Sequence, residues 1–470
     1  MGPPRSGASK KPTSSSKNAP GRDSRKEKKK PQQSKQETAT SRHDQTGQDG
    51  NQIGLSATIP LTLQQLLLNV FKTALLTSDG AQDHDHDHEH QNEHRAQTPR
   101  AEADSEPEAQ TTAPAGKEEL DIKSLVQTIK SHLYNRDFES AFADADEDLL
   151  RAYALRWSAS RALGYAGILK SVLRMLLSGS DGAEAQAQAR AKVKQTSHIV
   201  CIGGGAGAEI MALATAWRDM MDEAALSDSI GTVSLNDESG GQGQNQDIAT
   251  AATSSPRPGL AVTAVDIADW SSVVDRLART IRSPAVPGTK SHPAPLQPES
   301  ADSFVVRFER ADVLSLAEEG LKKILHLQDA AAPARTVLVT LMFTLNELFS
   351  TSMAKTTEFL LRATDLLTAG TVFLVVDSPG SYSTLKLGKP GKKDAEADGA
   401  SAAPQERRYP MKFLLDHTLL SVAAGKWEKI YEQDSRWWRR DAARLRYYVG
   451  EGAGLEDMRF QVHVYRRLAD

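Results

Sequence analysis

The sequence predicts an α/β fold with a seven-stranded sheet and a helical N-terminal extension. From His198 onward, short apolar runs alternate five times with amphipathic stretches of helical period. The runs are rich in β-branched residues and do not alternate with polar ones, which is typical of parallel strands buried on both faces. Near the end of the chain, "RLRYYVG" and "RFQVHVYRRL" are separated only by the short segment "EGAGLED". Such a connection is too short for a crossover helix, so the last two strands should be antiparallel.

Composition and charge limit the function classes before any motif is considered. The chain has 470 residues, 39% of them hydrophobic, and a formal net charge of −4, so it carries no global polyelectrolyte signature. Cys201 is the sole cysteine, which excludes an intrachain disulfide and favours a reducing compartment. No apolar run approaches the roughly 20 residues that span a bilayer, and no secretory signal begins the chain. These features predict a soluble intracellular protein with no membrane partner.

The first part of the chain is divided by composition. Residues 1–54 predict a disordered basic tail, because they carry almost no large apolar side chains. Its "RKEKKK" run is a nuclear or nucleolar address, a phosphate-binding arm or only a solvated segment. Residues 55–77 predict a helix with one apolar face. Residues 78–117 predict a disordered acidic and His-rich linker, in which "DHDHDHEH" lacks a shell to fix ligand geometry, so we predict no structural metal.

The remaining chain divides into a helical and an α/β part. Residues 118–180 predict a helical N-terminal subdomain, and residues 195–470 predict the α/β domain. Three segments rich in Gly, Ser and Pro interrupt that domain near 227–259, 283–302 and 388–406. We interpret them as disordered insertions in surface loops, because the entropy of closing a loop grows slowly with its length.

A glycine loop joins the first predicted strand to the first helix of the α/β domain. In "HIVCIGGGAGAEI", bare backbone at this turn allows a ligand to approach closely. The pattern alone is weak, because a tight turn without a ligand also explains it. The candidate cofactor-binding residues of this loop are Gly203, Gly204, Gly205, Gly207 and Glu209.

Carboxylates follow the next two predicted strands. Asp266 ends "AVTAVD", where an acid can accept hydrogen bonds from both hydroxyls of a ribose. Asp312 follows "SFVVRFER" and suits the exocyclic amine of an adenine. The alternative for each is a helix N-cap. Together with the glycine loop, these residues predict a ligand of the adenosine type.

Two classes of cofactor contain an adenosine and fit this pattern, the nicotinamides and S-adenosylmethionine. Nicotinamide enzymes favour an all-parallel six-stranded sheet, whereas a seven-stranded sheet ending in an antiparallel hairpin is the class I (Rossmann-like) methyltransferase sheet. The G-x-G-x-G spacing of Gly203, Gly205 and Gly207, followed by Glu209, also suits that group. The sequence therefore favours S-adenosylmethionine as cofactor over a nicotinamide.

Several longer motifs carry a resemblance to a known family. They include "IPLTLQQLLLNVF", "LYNRDF", "RWSASRALGY", "CIGGGAGAEI", "VDIADWSSVV", "TLMFTLNELFSTSMAKTTEFLL" and "VVDSPGSYSTL". Across them the chain resembles a fungal family of S-adenosylmethionine-dependent methyltransferases that includes an enzyme methylating uridine N3 in large-subunit ribosomal RNA. The resemblance implies a ribosomal RNA or preribosomal partner and a place in the nucleus or nucleolus, with the cytoplasm left open. One departure is Cys201, where many class I methyltransferases carry an acid.

The acceptor chemistry is narrowed by the single cysteine. Methylation at C5 of a pyrimidine uses a cysteine nucleophile, and Cys201 lies in the cofactor strand, whereas transfer to nitrogen or ribose oxygen needs only positioning and proton removal. Candidate catalytic residues follow the fourth and fifth strands. Asn346 suits a base edge, Glu347 suits proton acceptance, and Asp377 ends its strand. Capping of the following helix is the alternative for Glu347.

An RNA surface is predicted from aromatic and arginine side chains, which stack on bases and meet phosphates. The alternative for Tyr382 is an aromatic residue packed in its loop. The alternative for the residues from Arg436 to Arg440 is a helix with its tryptophans buried. "RWSASR", with Arg156 and Arg161, either closes over the cofactor or packs the helical part. Two other functions stay open, a protein methyltransferase and a non-catalytic ribosome-assembly factor. The candidate RNA-binding residues are Tyr382, Arg436, Trp437, Trp438, Arg439 and Arg440.

Overall fold

The α/β prediction is confirmed by a computed structural model of the chain. It describes residues 54–55, 57–76, 120–135, 137–178, 196–235, 259–298, 303–327, 335–380, 382–386 and 406–470. The predicted tail lies outside these residues except for Gly54, and the predicted acidic linker lies wholly outside them, as do 236–258, 299–302 and 388–405 of the predicted insertions.

A helical layer precedes the sheet. Aspartates begin two of its helices, because Asp121 accepts the backbone N–H of Ser124 and Asp146 that of Leu149. A π-helical turn follows α2 and another separates the last two helices. The elements are α1 (Leu61–Leu76), α2 (Ile122–Tyr134), the turn Glu139–Ala143, α3 (Glu147–Tyr153), the turn Ala154–Ser158 and α4 (Ala159–Ser178).

The α/β domain has the predicted seven-stranded sheet in the order β3-β2-β1-β4-β5-β9-β8. The first five strands are parallel, and β9 pairs antiparallel with both β5 and β8. A separate hairpin joins β6 to β7. The elements are β1 (Ser197–Ile202), α5 (Ala208–Leu235), β2 (Leu260–Asp266), α6 (Ser271–Ile281), β3 (Phe304–Arg310), α7 (Glu318–Ile324), β4 (Arg335–Met342), α8 (Leu345–Thr351), α9 (Met353–Leu366), β5 (Val372–Asp377), β6 (Tyr382–Lys386), β7 (Glu406–Pro410), α10 (Met411–Asp416), a π-helical turn (His417–Val422), β8 (Trp427–Trp438) and β9 (Met458–Arg467).

The prediction of the last strand pair is wrong in one member. The partner of β9 is Trp427–Trp438, whereas "RLRYYVG" forms no strand. Edge strands carry charged residues that deter aggregation, so β8 lacks the apolar run that marks a central strand. Apolar residues of "RLRYYVG" pack instead beneath the helical layer, where the Tyr447 hydroxyl donates to the Leu155 carbonyl at 2.8 Å.

Two predicted insertions are shorter than the sequence indicated. Residues 283–298 are packed rather than disordered: Leu296 is buried, and the Gln297 side chain donates to the Ala214 carbonyl at 2.6 Å. These contacts offset the ordering entropy of a Pro-rich segment. Helix α5 continues to Leu235, so the insertion near 227–259 begins later than predicted.

The helical layer is part of the core rather than an appended unit. The buried apolar faces of α1 and α4 join α5, α6 and one face of the sheet in a single cluster, and α7 to α10 cover the other face. Between α4 and α5, the buried Lys170 ammonium contacts Asp219 and lies 2.8 Å from a Glu223 oxygen. The helices therefore hold a fixed position over the sheet. Within the described part of the chain, no helix has the length and apolar character needed to cross a membrane.

Candidate active site

A cavity of about 640 Å³ opens at the carboxyl ends of the parallel strands. This is where ligands bind in open α/β sheets. Its floor is formed by the ends of β1 to β5, and its roof by the helical layer. The lining residues are Phe138, Glu139, Phe142, Ala143, Tyr153, Arg161, Ile202, Gly203, Ala206, Val265, Asp266, Ile267, Trp270, Ala311, Asp312, Val313, Leu314, Met342, Phe343, Thr344, Asn346, Glu347, Leu348, Thr351, Asp377 and Ser378.

The glycine loop is shaped mainly by its protein neighbours. Gly203 has a φ of 76°, and a Cβ there would lie 2.2 Å from the Thr344 hydroxyl oxygen. A Cβ on Gly205 would lie 2.1 Å from the Trp270 indole. These separations are far below van der Waals contact, so the loop has to be glycine even before a ligand is considered.

One predicted glycine reaches the cavity and the others support it from behind. Gly203 lines the cavity, whereas Gly204, Gly205 and Gly207 are buried and do not. Glu209 is also buried outside the lining, and one of its carboxyl oxygens has no hydrogen-bond partner among the described residues. Burial raises the pKa of Glu209 to about 8, so its carboxyl is largely protonated at neutral pH. Glu209 nevertheless lies close enough to Asp266 and Arg161 for their charges to affect its pKa.

Asp266 lies at the centre of the floor. Its carboxylate accepts the backbone N–H of Gly205 at 3.1 Å and that of Ala268 at 3.2 Å. Each oxygen retains a lone pair that can accept a hydroxyl from the cavity. Burial raises the pKa of Asp266 to about 6, although these backbone hydrogen bonds lower it. The side chain therefore fixes the loop and faces the cavity at the same time.

Asp312 also reaches the cavity, but its carboxylate is engaged locally. One oxygen accepts the backbone N–H of Leu314 at 3.0 Å, and the other accepts the Ser315 hydroxyl at 2.5 Å. These are the contacts of a capped turn rather than of the helix N-cap considered as the alternative, because the next helix begins at Glu318 with Ala317 at its N-cap position. Its position beside Val313 and Leu314 still leaves it at the β3 end of the cavity.

The three predicted catalytic residues lie together at the β4 and β5 ends. Asp377 accepts the backbone N–H of Asn346 at 3.0 Å and that of Ser378 at 2.7 Å, so it ties the two strand ends together. The Asn346 side-chain carbonyl is buried and accepts no hydrogen bond from any described residue. Glu347 is exposed to the cavity and stands in the first turn of α8.

The pKa values of the Asp377 and Glu347 carboxyl groups are both raised. Burial raises the pKa of Asp377 to about 6, against the lowering effect of its two backbone hydrogen bonds. The cavity walls desolvate Glu347 and raise its pKa to about 7, and the Arg161 charge partly opposes this. Side chains with a pKa near neutrality are suited to general acid–base work.

The roof contributes aromatic residues that the sequence prediction did not assign to the site, and also Arg161, whose segment was expected either to close over the cofactor or to pack the helical part. Phe142 and Tyr153 pack edge to face, with ring centroids 5.1 Å apart, and Trp270 lies 5.7 Å from Tyr153. Arg161, from the quoted "RWSASR" segment, lies among these aromatic rings and lines the cavity. Arg156 instead pairs with Glu456 at 2.6 Å, outside the lining. The sequence signal for the roof was the density of aromatic residues in the helical part.

A strained residue marks the end of β4. Phe343 has a φ of 62°, in the left-handed region that bulky residues rarely adopt. Its backbone N–H donates to the Val376 carbonyl at 2.7 Å, and its ring stacks against Tyr165. Such strain persists where the surrounding structure fixes it, and it is concentrated at functional sites.

The predicted RNA-binding residues lie away from the cavity lining. Trp437 is 51% exposed, and the Arg439 guanidinium stacks 4.0 Å from its ring centroid. Trp438 packs against Gly164 of α4. This agrees with the alternative in which the tryptophan side chains pack against the protein, although Trp438 lies on a strand and not on a helix.

The other predicted members of this surface are partly engaged. The Arg436 side chain donates to the Leu55 carbonyl and that of Arg440 to the Leu455 carbonyl. Tyr382 begins β6, and its side chain is outside the described residues.

Comparison with known proteins gives the site its family. Residues 109–466 match a family described as "Putative SAM-dependent methyltransferase". This range covers the helical layer from α2 and the whole seven-stranded sheet. The chain belongs to the S-adenosylmethionine-dependent methyltransferases. It is 31% identical over 362 residues, 74% of this chain and 79% of the relative, to the 25S rRNA (uridine(2843)-N(3))-methyltransferase of Saccharomyces cerevisiae.

Solved structures of other methyltransferases are more distant. A SAM-dependent methyltransferase from Methanosarcina mazei is 9% identical, with a TM-score of 0.29, and covers 60% of this chain and 96% of its own. One from Clostridium acetobutylicum is 10% identical, with a TM-score of 0.28, and covers 73% of this chain and 100% of its own. Both TM-scores are below 0.5.

The cavity fits the cofactor that this family uses. Its volume lies within the range of small-molecule sites, about 300–1,000 Å³. Asp266 faces the cavity with free lone pairs of the kind that would accept ribose hydroxyls, and Asp312 lines the cavity one strand further along, where an adenine would lie. The sulfonium of S-adenosylmethionine is a cation, and carboxylates predominate among the charged residues that line the cavity.

Proposed function

We propose that this enzyme methylates N3 of a uridine in large-subunit ribosomal RNA. The observation that carries the proposal is Glu347, a cavity carboxylate whose pKa is raised to about 7. Removing the weakly acidic N3 proton requires a base of this kind near the acceptor. The yeast relative, whose name states the same reaction, supports the same substrate class.

The charge of the cavity favours a neutral base as acceptor. Its lining contains five carboxylic side chains and one arginine within the described residues, Arg161. A phosphate would be repelled by this field, whereas an uncharged uracil ring would not. The target nucleotide is therefore expected to leave its stack and insert only its base, while the RNA backbone stays outside.

Each candidate catalytic residue has a role in this proposal. Glu347 accepts the N3 proton, and the electron pair left on N3 forms the new bond to the methyl carbon while the sulfur–methyl bond breaks, its electron pair stays on the sulfur, and S-adenosylhomocysteine leaves. Bound S-adenosylmethionine supplies the electrophilic methyl group. Asn346 offers an amide that hydrogen-bonds a uracil carbonyl, and Asp377 positions it through the 3.0 Å contact to the Asn346 backbone N–H. These roles rest on positioning, which is the main requirement of an in-line methyl transfer.

The proposed RNA surface is at the same edge of the sheet as the cavity. In β9, Gln461 pairs with Asp377 at the end of β5, and Arg459 lies two residues beyond it. Trp437 pairs with Arg459 across the hairpin, and its ring has the Arg439 and Arg459 guanidinium groups 4.0 and 5.9 Å from its centroid. An exposed tryptophan between arginines suits an unpaired base beside its phosphates.

Replacing Trp437 by alanine should weaken RNA binding with little effect on stability, because the side chain is half exposed. We expect the dissociation constant for a substrate RNA fragment to rise about tenfold, in line with the loss of one stacked base. Binding is measured by fluorescence anisotropy at fixed salt. Tyr448→Ala, at an aromatic residue that is 74% exposed, is the control. Equal effects of both variants would contradict a specific role for Trp437.

We propose a ribosomal RNA or a preribosomal particle as partner, and the nucleus or nucleolus as location. The basic segment "RKEKKK" supports the location as an address signal. Fusion of residues 1–54 to a fluorescent protein tests it. A fusion that stays evenly distributed between cytoplasm and nucleus would overturn this part of the proposal.

The substrate proposal is tested by transfer of label from radioactive S-adenosylmethionine to RNA from a strain that lacks the gene. Nucleoside chromatography should reveal labelled N3-methyluridine, and Asp266→Ala should abolish it. Label at another position of RNA would overturn the N3 assignment. Label in protein that survives nuclease treatment would favour a protein methyltransferase. RNA binding without any turnover would favour a non-catalytic assembly factor.

A further inference from the structure

We infer that the Arg161 guanidinium, on helix α4 of the helical layer, binds the carboxylate of the methionine part of S-adenosylmethionine. The inference rests on the cofactor class of the family and is independent of the RNA substrate proposed above. It assigns a specific ligand contact to the N-terminal helices.

The charged side chains that line the cavity are mostly acidic. Arg161 is the single cation among the described lining residues, and it faces five carboxylic side chains: Glu139, Asp266, Asp312, Glu347 and Asp377. Their combined field repels a ligand carboxylate. The methionine part of the cofactor nevertheless carries a carboxylate beside its ammonium group, so the cavity needs a positive partner for it.

Arg161 is oriented by its neighbours but its charge is not neutralised by them. Its Nη1 donates to the Tyr153 hydroxyl at 2.8 Å, and the described residues give it no ion pair within hydrogen-bonding range. The guanidinium stands 5.7 Å from the Tyr153 ring centroid and 5.2 Å from that of Phe343. These cation–π contacts fix its position and leave most of its five N–H donors available.

The order of the strands sets the direction in which the ligand lies. Asp266 ends β2 and Asp312 follows β3, so the adenosine end belongs to that side of the sheet. Phe343, which contacts Arg161, follows β4, on the other side of β1. Two strand spacings, about 10 Å, separate β2 from β4. An extended ligand with its ribose on Asp266 therefore brings its amino-acid end under Arg161.

The Arg161 guanidinium can bind a carboxylate through two N–H groups at once. A carboxylate accepts two parallel N–H bonds from an arginine, which fixes orientation as well as charge. This contact distinguishes the two ends of the cofactor, because no cation stands at the β3 end among the described lining residues. The helical layer thus completes the cofactor site and sets the direction of the methyl group.

The experiment compares two ligands that differ only in the carboxylate. Isothermal titration calorimetry of the full chain is performed with S-adenosylhomocysteine and with its decarboxylated form, S-adenosyl-3-thiopropylamine. Arg161→Ala should weaken binding of the first ligand about 10- to 100-fold and change binding of the second less than about twofold. Arg156→Ala, whose side chain pairs with Glu456 outside the cavity, is the matched control and should change neither.

Folding is followed separately by the melting temperature of each variant, with Arg161→Gln as the replacement if Arg161→Ala does not fold. Equal weakening of both ligands in a variant with the wild-type melting temperature would overturn the inference. So would unchanged binding of S-adenosylhomocysteine. Loss of RNA binding with cofactor binding intact would instead assign Arg161 to a phosphate. None of these outcomes depends on which nucleotide is methylated.

Discussion

Replacing Glu347 by glutamine should lower kcat about 10²- to 10⁴-fold, the usual contribution of a general base. The variant keeps the shape of the side chain and its place in the first turn of α8. Cofactor affinity should remain close to that of the wild type, because the ribose and adenine candidates, Asp266 and Asp312, are unchanged. Single-turnover transfer of label to substrate RNA measures the effect on the chemical step.

The pH dependence gives this prediction a second readout. The pKa of Glu347 is about 7 in the free enzyme, and a base acts in its ionised form. In the wild type, kcat/KM should therefore rise as the pH increases through about 7, since this ratio reports the pKa of the free enzyme. The rise should be absent in Glu347→Gln.

Stability should move in the opposite direction to activity. The folded-state pKa of Glu347 lies above its ordinary value of 4.5, so the folded state favours the protonated form. The contribution of the Glu347 carboxyl to the stability of the fold is therefore fully present below its pKa in the unfolded state, and it is lost as the pH rises through about 7. At pH 8, Glu347→Gln should melt at the same temperature as the wild type or higher. Glu358→Gln, at an exposed site on α9, is the control. If the melting temperature of Glu347→Gln fell together with its activity, Glu347 would have a structural role instead of a catalytic one.

The order of the sheet was predictable because buried parallel strands have a distinct pattern. "TVLVTL" and "GTVFLVVD" are continuous apolar runs, and they became β4 and β5. The edge strand β8 was missed because "WEKIYEQDSRWW" carries charges along its exposed face. Residues 283–298 were misjudged because composition does not show which few side chains, such as Leu296, find a buried place.

The floor of the site was easier to predict than its roof. Strand ends converge by topology, so acids that follow successive strands, such as Asp266 and Asp377, were expected at one edge. The sequence left open whether "RWSASR" closes over the cofactor or packs the helical part, because the position of Arg161 depends on how α4 crosses the sheet and no local pattern encodes that crossing. Glu209, which the sequence also offered as a cofactor residue, is buried in the first turn of α5 and does not line the cavity, and its place after the glycines does not reveal that burial.

The glycine loop provides the second large expected effect. Gly205→Ala should lower the free energy of unfolding by about 1–3 kcal/mol, the usual cost of overpacking. A Cβ at this position would lie 2.1 Å from Trp270 Cδ1 and 2.5 Å from its Cγ, so the ring has to move. Trp270 is 2% exposed and packs against Tyr153, which leaves the ring little room. Chemical denaturation measures the change.

The same substitution should also weaken cofactor binding, because the Gly205 backbone N–H donates to Asp266 at 3.1 Å. Displacing the loop would turn the carboxylate that we assign to the ribose, so the dissociation constant for S-adenosylhomocysteine should rise together with the loss of stability. Gly454→Ala is the matched control, since a Cβ there meets no atom within 4 Å and the backbone is outside the left-handed region. If Gly205→Ala were as stable as Gly454→Ala, the indole would not be the reason for glycine at this position. A close approach of the ligand to the loop would then be the remaining explanation.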